Sequence, residues 1–228
     1  MLASLILYSG LVLMLGGAGL TVAALLAPAP ESRAAGSGTR LDAFAPVWQF
    51  HEVHALRIEA PPARVFDAIK RVRADEIFLF RTLTWIRRGG RRLPQNILNA
   101  GTEQPIIDVA THSTFTLLAD EAPREIVMGT VVIAPTGTSR ADTRRVFDGP
   151  VPPGFAVGTM NFLVTPDGPN ASRVSTETRV FANGASTRRR FAVYWRVIYP
   201  GSAIIRRMWL RAIERRAIAV ERRALDAG

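Results

Sequence analysis

The hydrophobic pattern divides the chain into an apolar N-terminal stretch and one folded domain. From Leu2 to Ala27 no residue is charged, and a helix of this length, at about 1.5 Å per residue, exceeds a hydrocarbon core of roughly 30 Å. Residues 1–27 are therefore predicted to form a transmembrane anchor, with a cleaved signal segment as the alternative. The small, polar and proline-bearing stretch 28–46 is predicted to be a linker, and the domain is predicted to cover 47–228.

Polarity at the start of the domain predicts one strand followed by two helices. Residues 50–59 alternate between apolar and polar types, which predicts a strand with His54 and the apolar Leu56 on one face. Apolar residues then recur at helical spacing, and helices are predicted over 62–72 and 75–89.

The middle of the chain predicts an antiparallel meander. Strand-like runs are separated by short turn segments without a helical pattern between them, which favours antiparallel pairing over βαβ units. The clear runs are 115–119, 125–133, 155–164 and 173–181, and two less regular strands are expected near 106–109 and 143–147.

The final segment carries the longest helical pattern. Ser186 is suited to begin a helix whose apolar residues Phe191, Trp195 and Ile198 fall on one stripe, and the pattern continues further towards the C-terminus. Pro200 is expected to kink or interrupt this helix, because its ring displaces a backbone hydrogen bond.

Three stretches give residues 47 to about 220 a family resemblance. They are APPARVF from Ala60 to Phe66, TETRV from Thr176 to Val180, and the final helix with its Arg190-Phe191, Tyr194-Trp195 and Pro200-Gly201-Ser202. Together these stretches resemble the START/Bet v 1-like (SRPBCC) helix-grip superfamily, and within it the bacterial polyketide cyclase/dehydrase and lipid transport group. The resemblance implies an α+β helix-grip fold, in which a curved antiparallel sheet surrounds a long C-terminal helix.

The resemblance also implies a cavity between sheet and helix that holds a lipid, sterol, polyketide or other apolar small molecule. Aromatic residues make up only 8% of the chain, which favours an underfilled interior, whereas a solid core of branched aliphatic residues is the alternative. The residues expected to line the cavity are Phe80, Trp85, Phe115, Met128, Met160, Phe162, Thr176, Thr178, Phe191, Trp195 and Ile198.

Candidate polar groups in this cavity are His54, Glu177 and Arg179. Glu177 and Arg179 share one face of a predicted strand; inside, they would orient a polar head or move a proton, and outside they would form an ordinary charge array. The opposite, branched face of that strand suits the interior better. His51 and His54 point to opposite faces of their strand, so no metal site is predicted. The chain has no Cys, which excludes thiol catalysis, a Cys-ligated zinc and a disulfide. No cofactor is expected.

Charge adds a predicted membrane surface. The formal net charge is +10, and the chain from residue 186 onward holds eleven arginines and three acidic residues. Arg207, Arg211 and Arg215 repeat on one helix face, which is predicted to attract anionic lipid headgroups at about 1 kcal/mol per basic residue. A solvated helix face is the alternative. Aromatic residues lie apart from these arginines, so nucleic-acid binding is not indicated. Two arginines follow the apolar N-terminal stretch and none precedes it, which predicts a cytoplasmic domain, with export after signal cleavage as the alternative.

Three functions stay open at this point. The first is membrane-anchored, non-enzymatic binding or transport of a lipid or other hydrophobic small molecule. The second is an enzyme of the polyketide cyclase/dehydratase type that uses the same cavity, with Glu177, Arg179 or His54 handling protons. The third is a structural module without a ligand. Fold alone does not select among them.

Overall fold

The computed structural model describes residues 29–226, except for 37, 88, 90–96, 140–142 and 144. The predicted anchor over 1–27 lies outside the described residues. Within the described part of the chain, none of the helices combines the length and the apolar character that a membrane crossing requires.

The strands of the described residues form a small ribbon and a larger, five-stranded sheet. The ribbon pairs β1 (Ser32–Arg33) with β2 (Val47–Trp48). The antiparallel sheet has the order β3-β7-β6-β5-β4, so that the first of its strands pairs with the last. The sheet strands are β3 (Phe50–Ile58), β4 (Thr116–Glu121), β5 (Glu125–Ile133), β6 (Ala156–Pro166) and β7 (Ser172–Ala182). The first predicted strand and the four clear strand-like runs are confirmed, with small shifts at their ends.

Within the part of the chain that the structure describes, five α-helices accompany the sheet, and the last is by far the longest. They are α1 (Arg40–Phe44), α2 (Pro62–Arg71), α3 (Phe80–Arg87), α4 (Ile106–Ser113) and α5 (Ala185–Asp226). Helix α5 and helices α2 to α4 pack on the same side of the sheet, and we call the sheet face that they cover the inner face. The α+β class, with an antiparallel sheet and a long C-terminal helix, is confirmed, and the arrangement fits a helix-grip architecture.

The outer face of the sheet is covered by the segment that precedes β3. Thr39 begins α1 with reciprocal hydrogen bonds to Asp42, and Leu41 is fully buried against Val127 of β5. Glu125, also fully buried, accepts hydrogen bonds from the backbone N–H groups of Arg40 and Leu41 at 2.7 and 3.2 Å. Part of the predicted 28–46 linker is therefore folded onto the sheet.

Two of the less regular strand predictions are wrong. Residues 106–109 lie in α4, because Pro105 precedes the helix and the apolar residues Ile106, Ile107 and Ala110 form a buried helical stripe. Of the predicted strand at 143–147, the described residues are helical or in a turn.

Two helix predictions also need correction. The second helix begins at Phe80, since Asp75 belongs to a separate short 3₁₀ turn, Ala74–Glu76. Helix α5 continues through Pro200 without interruption. Pro200 and Arg196 are both exposed, so water can replace the backbone hydrogen bond that the ring displaces.

Candidate ligand site between the sheet and the C-terminal helix

A polar layer separates two apolar clusters beneath α5. The N-terminal part of α5 packs through Phe191 on Phe50 of β3, with ring centroids 4.7 Å apart. The C-terminal part packs through Trp209 on Phe162 of β6, at 4.9 Å. Between these clusters the facing side chains are polar. They are Glu52 and His54 on β3, Thr176 and Thr178 on β7, and Ser202 and Arg206 on α5.

Arg206 is a cation whose hydrogen-bond partners among the described residues are neutral. Its Nη2 donates to the Thr178 hydroxyl at 3.0 Å and contacts the Met160 sulfur at 3.1 Å, and its Nη1 donates to the Thr176 hydroxyl at 3.4 Å. Desolvation by burial lowers the pKa of Arg206 to about 10; the charge of Glu52 opposes this shift and that of Arg87 adds to it. The side chain therefore remains charged at neutral pH, in surroundings that compensate the charge only partly.

Glu52 is the buried carboxylate of the same layer. Its Oε2 accepts a hydrogen bond from the Ser202 hydroxyl at 2.8 Å, and its Oε1 lies 2.9 Å from Nε2 of His54. The order Ser202, Glu52, His54 differs from that of a nucleophilic triad, in which the imidazole contacts the hydroxyl. The chain of groups is suited to carry a proton rather than to activate a serine.

A cleft of about 290 Å³ opens beside this layer, between α3, α5 and the β4–β5 end of the sheet. Arg206 and Ser202 reach it from α5, and Arg87 reaches it from α3, where its guanidinium also donates to the Tyr194 hydroxyl at 2.5 and 3.1 Å. The remaining lining is mainly apolar and comprises Phe80, Ile97, Thr114, Phe115, Thr130, Val131, Val132, Ile205 and Trp209. Such a cleft combines apolar walls with a cationic end.

The residues predicted to line a cavity are distributed over several places. Phe80 and Phe115 line the cleft, and Met160, Thr176 and Thr178 contact Arg206. The others are packed or remote. Met128 and Phe162 are fully buried in the core, Phe191 and Trp195 belong to the cluster at the start of α5, Ile198 is half-buried on α5, and Trp85 is 54% exposed.

Two of the predicted polar groups do not share this cleft. Glu177 and Arg179 lie on the outer face, because side chains alternate along β7 and those of Thr176 and Thr178 are on the inner face. The hypothesis that they act inside the cavity is wrong. His54 does face inward, where it meets Glu52, while His51 on the opposite face lies 2.9 Å from Glu177. Among the described residues, no group of three potential ligands is arranged to hold a metal ion.

Three residues of the polar layer were missed by the sequence analysis. Glu52 alternates with His54 on the strand face that carries Leu56, so the inward direction was readable. Ser202 and Arg206 are four residues apart on α5, and Arg206 precedes the buried Trp209 by three, which places both on the apolar stripe. The signal in the sequence that could have identified them is the occurrence of polar residues within an apolar stripe.

The predicted basic face of α5 is exposed. Arg207, Arg211 and Arg215 are all accessible, although Arg211 pairs with Glu214 at 2.9 Å and Arg215 donates to the Glu76 carbonyl at 2.6 Å. Their contact with lipid headgroups stays a prediction.

Comparisons with known proteins find similar structures but no family. No family model matches the chain, and no curated protein matches it significantly. A conserved protein from Geobacillus kaustophilus has a TM-score of 0.38 at 9% identity, covering 75% of this chain and 96% of that one. The Zhui aromatase/cyclase from Streptomyces sp. R1128 has a TM-score of 0.29 at 11% identity, covering 73% and 94%. The di-domain ARO/CYC BexL from the BE-7585A biosynthetic pathway has 0.25 at 14%, covering 74% and 50%. Scores this low carry no argument about this chain.

Proposed function

We propose that this chain is a START/Bet v 1-like helix-grip domain that binds a small hydrophobic molecule bearing a carboxylate or another strong hydrogen-bond acceptor. The observation that carries the proposal is Arg206, a half-buried cation at the end of an apolar cleft, whose hydrogen-bond partners in the described part of the chain are neutral. The ligand's apolar body would lie against Phe80, Phe115 and Trp209, and its head would meet the guanidinium.

Electrostatics favours an acceptor at this position. Burying a cation away from water is costly unless a counter-charge or several good acceptors replace the water. The charge of the Glu52 carboxylate acts on Arg206, yet no ion pair within 4 Å joins the two among the described residues. Arg87 adds a second positive charge at the cleft. An anionic head is therefore attracted by two cations and opposed by one carboxylate.

The proposal includes membrane attachment and a carrier role. An apolar ligand of this kind partitions into a bilayer, and the basic face of Arg207, Arg211 and Arg215 is accessible for anionic headgroups. The apolar stretch 2–27 would keep the domain beside the lipid from which the ligand is taken. Binding and transport, without a chemical step, is the function we favour.

Ligand binding is tested with a matched pair of probes and a matched pair of variants. The probes are 2-naphthoate and its uncharged analogue 2-acetylnaphthalene, titrated calorimetrically into the full-length chain in lipid nanodiscs, with empty nanodiscs as the blank. Arg206→Met is expected to weaken 2-naphthoate binding about tenfold or more, because a charge-assisted hydrogen bond is lost.

The control is Arg189→Met, which removes the same charge from an exposed position of α5 outside the proposed membrane face. Binding of 2-naphthoate to this variant is expected to stay within about twofold of the unchanged chain, since exposed charges are screened. Equal losses in both variants, or no binding of 2-naphthoate to the unchanged chain, would contradict the proposal.

The linked groups Ser202, Glu52 and His54 favour a second candidate, an enzyme of the cyclase or dehydratase type. Ser202 lines the cleft and connects through Glu52 to His54, which gives a path for a proton between a bound ketone and the protein. The test follows deuterium exchange at the α-carbon of 2-tetralone in D₂O by NMR. Exchange that exceeds the buffer rate and disappears in Glu52→Gln supports proton transfer; exchange at the buffer rate argues against it.

A further inference from the structure

A second cavity lies on the outer face of the sheet, on the opposite side from the cleft beneath α5. Its volume is about 610 Å³, twice that of the inner cleft, and falls in the range of small-molecule sites. One wall is residues 43–47, which run from the end of α1 into β2, and the other is the loop 147–151. The floor is formed by Val157 and Thr159 of β6 with Arg179 and Phe181 of β7.

The loop wall is held close to the sheet by a glycine. Phe147 lies over Gly129 of β5, and a Cβ added to this glycine would come within 2.4 Å of the Phe147 ring. A side chain at residue 129 is therefore incompatible with this position of the ring. Both walls of the outer cavity thus rest on the sheet itself, one through Gly129 and the other through Glu125 beneath α1.

Arg179 is fixed in the floor with one nitrogen left over. Its Nε donates to Glu177 at 2.6 Å, and its Nη1 donates to Asp42 at 2.6 Å and to the Ala45 carbonyl at 3.0 Å. The guanidinium also stacks on Trp48 at 4.0 Å from the ring centroid. Within the described part of the chain, Nη2 has no hydrogen-bond acceptor, so it remains available as a donor.

Thr159 supplies a second polar group beside this donor. The residue is 1% exposed and lines the cavity, and its hydroxyl makes no hydrogen bond to the described residues. Arg179 and Thr159 therefore present unused hydrogen-bonding groups to the same cavity.

The local charge argues against an anion here. Asp42 and Glu177 both contact Arg179, and Asp148 also lines the cavity, so among these described residues carboxylates outnumber the guanidinium. An added negative charge would meet net repulsion. Apolar and aromatic walls, among them Phe44, Phe147 and Phe181, suit a flat ring system.

We propose that the outer cavity binds a second small molecule, flat and uncharged, whose carbonyl or ether oxygen accepts from Arg179 Nη2 while the Thr159 hydroxyl completes the contact. This site is independent of the ligand proposed for the inner cleft. The two cavities share no lining residue.

The probe is 2-acetylnaphthalene, which has a flat ring system and one carbonyl acceptor. It is titrated into the full-length chain in nanodiscs, and the methyl NMR signals of valine and isoleucine are followed. Saturable shifts are expected for Val151 and Val157 of the outer cavity, whether or not Ile205 of the inner cleft also responds. Shifts confined to Ile205, or none for Val151 and Val157 up to the solubility limit, would overturn the proposal.

Gly149→Trp is designed to fill the cavity from its rim. An added Cβ at this glycine meets nothing within 4 Å, so the variant is expected to fold and to weaken ketone binding about tenfold. Ala63→Trp, at an exposed position of α2, is the control and should leave binding unchanged. Undiminished ketone binding in Gly149→Trp would count against the site.

Thr159→Val separates the polar contact from the shape of the cavity. The substitution keeps the volume and removes the hydroxyl, and a several-fold loss of ketone affinity is expected, in keeping with one neutral hydrogen bond. Binding of 2-naphthoate to the inner cleft should not change in this variant. If Arg206→Met abolishes naphthoate binding while the ketone result fails, the inner proposal stands and the outer one falls.

Discussion

An arginine lies beside a cavity on each side of the sheet, and the two arginines differ in their partners. Arg179 on the outer face contacts two carboxylates and a tryptophan ring. Arg206, on the side of α5 that faces the sheet, contacts two hydroxyls and a thioether. The first is compensated within the protein, whereas the second lacks a direct counter-charge. Arg179 therefore stabilises the fold through its carboxylate partners and offers a ligand only one remaining nitrogen, whereas the charge of Arg206 is available to an anionic ligand head.

This comparison predicts a large difference between two matched substitutions. Arg179→Met leaves Asp42 and Glu177 without their cation, and a loss of about 3 kcal/mol in the free energy of unfolding is expected. Arg206→Met replaces a poorly compensated cation with an apolar chain, and the free energy of unfolding is expected to stay within about 1 kcal/mol or to rise. Urea denaturation measures both. Similar losses for the two variants would remove the distinction.

The outer wall depends on a buried carboxylate. Glu125→Ala leaves the backbone N–H groups of Arg40 and Leu41 and the amide of Asn161 without their acceptor, which is expected to cost about 2–3 kcal/mol. Glu121→Ala is the control, because its ion pair with Arg40 is half exposed and should contribute less than about 0.5 kcal/mol. Urea denaturation and protease cleavage near α1 are the measurements, and equal behaviour of the two variants would be inconsistent with this role for Glu125.

On the inner side, the stability of the fold depends on the carboxylate of Glu76, which lies nearer the solvent than that of Glu125. Burial raises the pKa of Glu76, but other effects outweigh it. Hydrogen bonds from Arg216 and from the backbone of Arg73, together with the charges of both arginines, lower the pKa from 4.5. Glu76 therefore stabilises the fold above about pH 4.5 and loses this effect as the pH falls through its folded-state pKa.

Glu76→Gln is expected to cost about 1 kcal/mol at pH 7, and the difference from the unchanged chain should shrink at pH values below 4.5. Thermal unfolding at a series of pH values measures it, with the exposed Glu103→Gln as control. A difference that is constant with pH would contradict the assignment.

The smallest expected effect concerns the aromatic residue that lies outside the cleft. Trp85→Ala should change the free energy of unfolding by less than about 0.5 kcal/mol and 2-naphthoate affinity by less than about twofold, because the side chain is 54% exposed. Phe115→Ala, within the cleft, should weaken the same probe several-fold. Calorimetry on both variants gives the comparison, and a larger effect at Trp85 would move the proposed site towards α3.

Alternation along the strands was enough to predict which residues face α5, but not what covers the other face. Because side chains alternate along a strand, Thr176 and Thr178 point to the face opposite Glu177 and Arg179, and the face with the threonines was expected inside. Arg179 of the outer set is buried, because Asp42, the Ala45 carbonyl and the Trp48 ring lie against it, whereas Glu177 stays partly exposed. Residues 28–46 were interpreted as a linker from their composition, although Thr39 and Asp42 have the spacing of a helix start.

Local preference misled the analysis at α4. Ile106, Ile107 and Val109 favour strands, yet the buried positions follow a helical spacing that tertiary packing selects. The polar layer required a different kind of information, since Glu52 on β3 and Ser202 on α5 are 150 residues apart and meet only in the folded chain.

Gly129 offers a single position from which the outer cavity could be engineered separately. A methyl group there would force the end of the Phe147 ring away from β5, and this ring lines the outer cavity. The inward-facing neighbours on the strand, Met128 and Thr130, would keep their positions. One added carbon could thus remodel the rim of one pocket and leave the other as it is, which makes this glycine a convenient starting point for altering selectivity on one side of the protein alone.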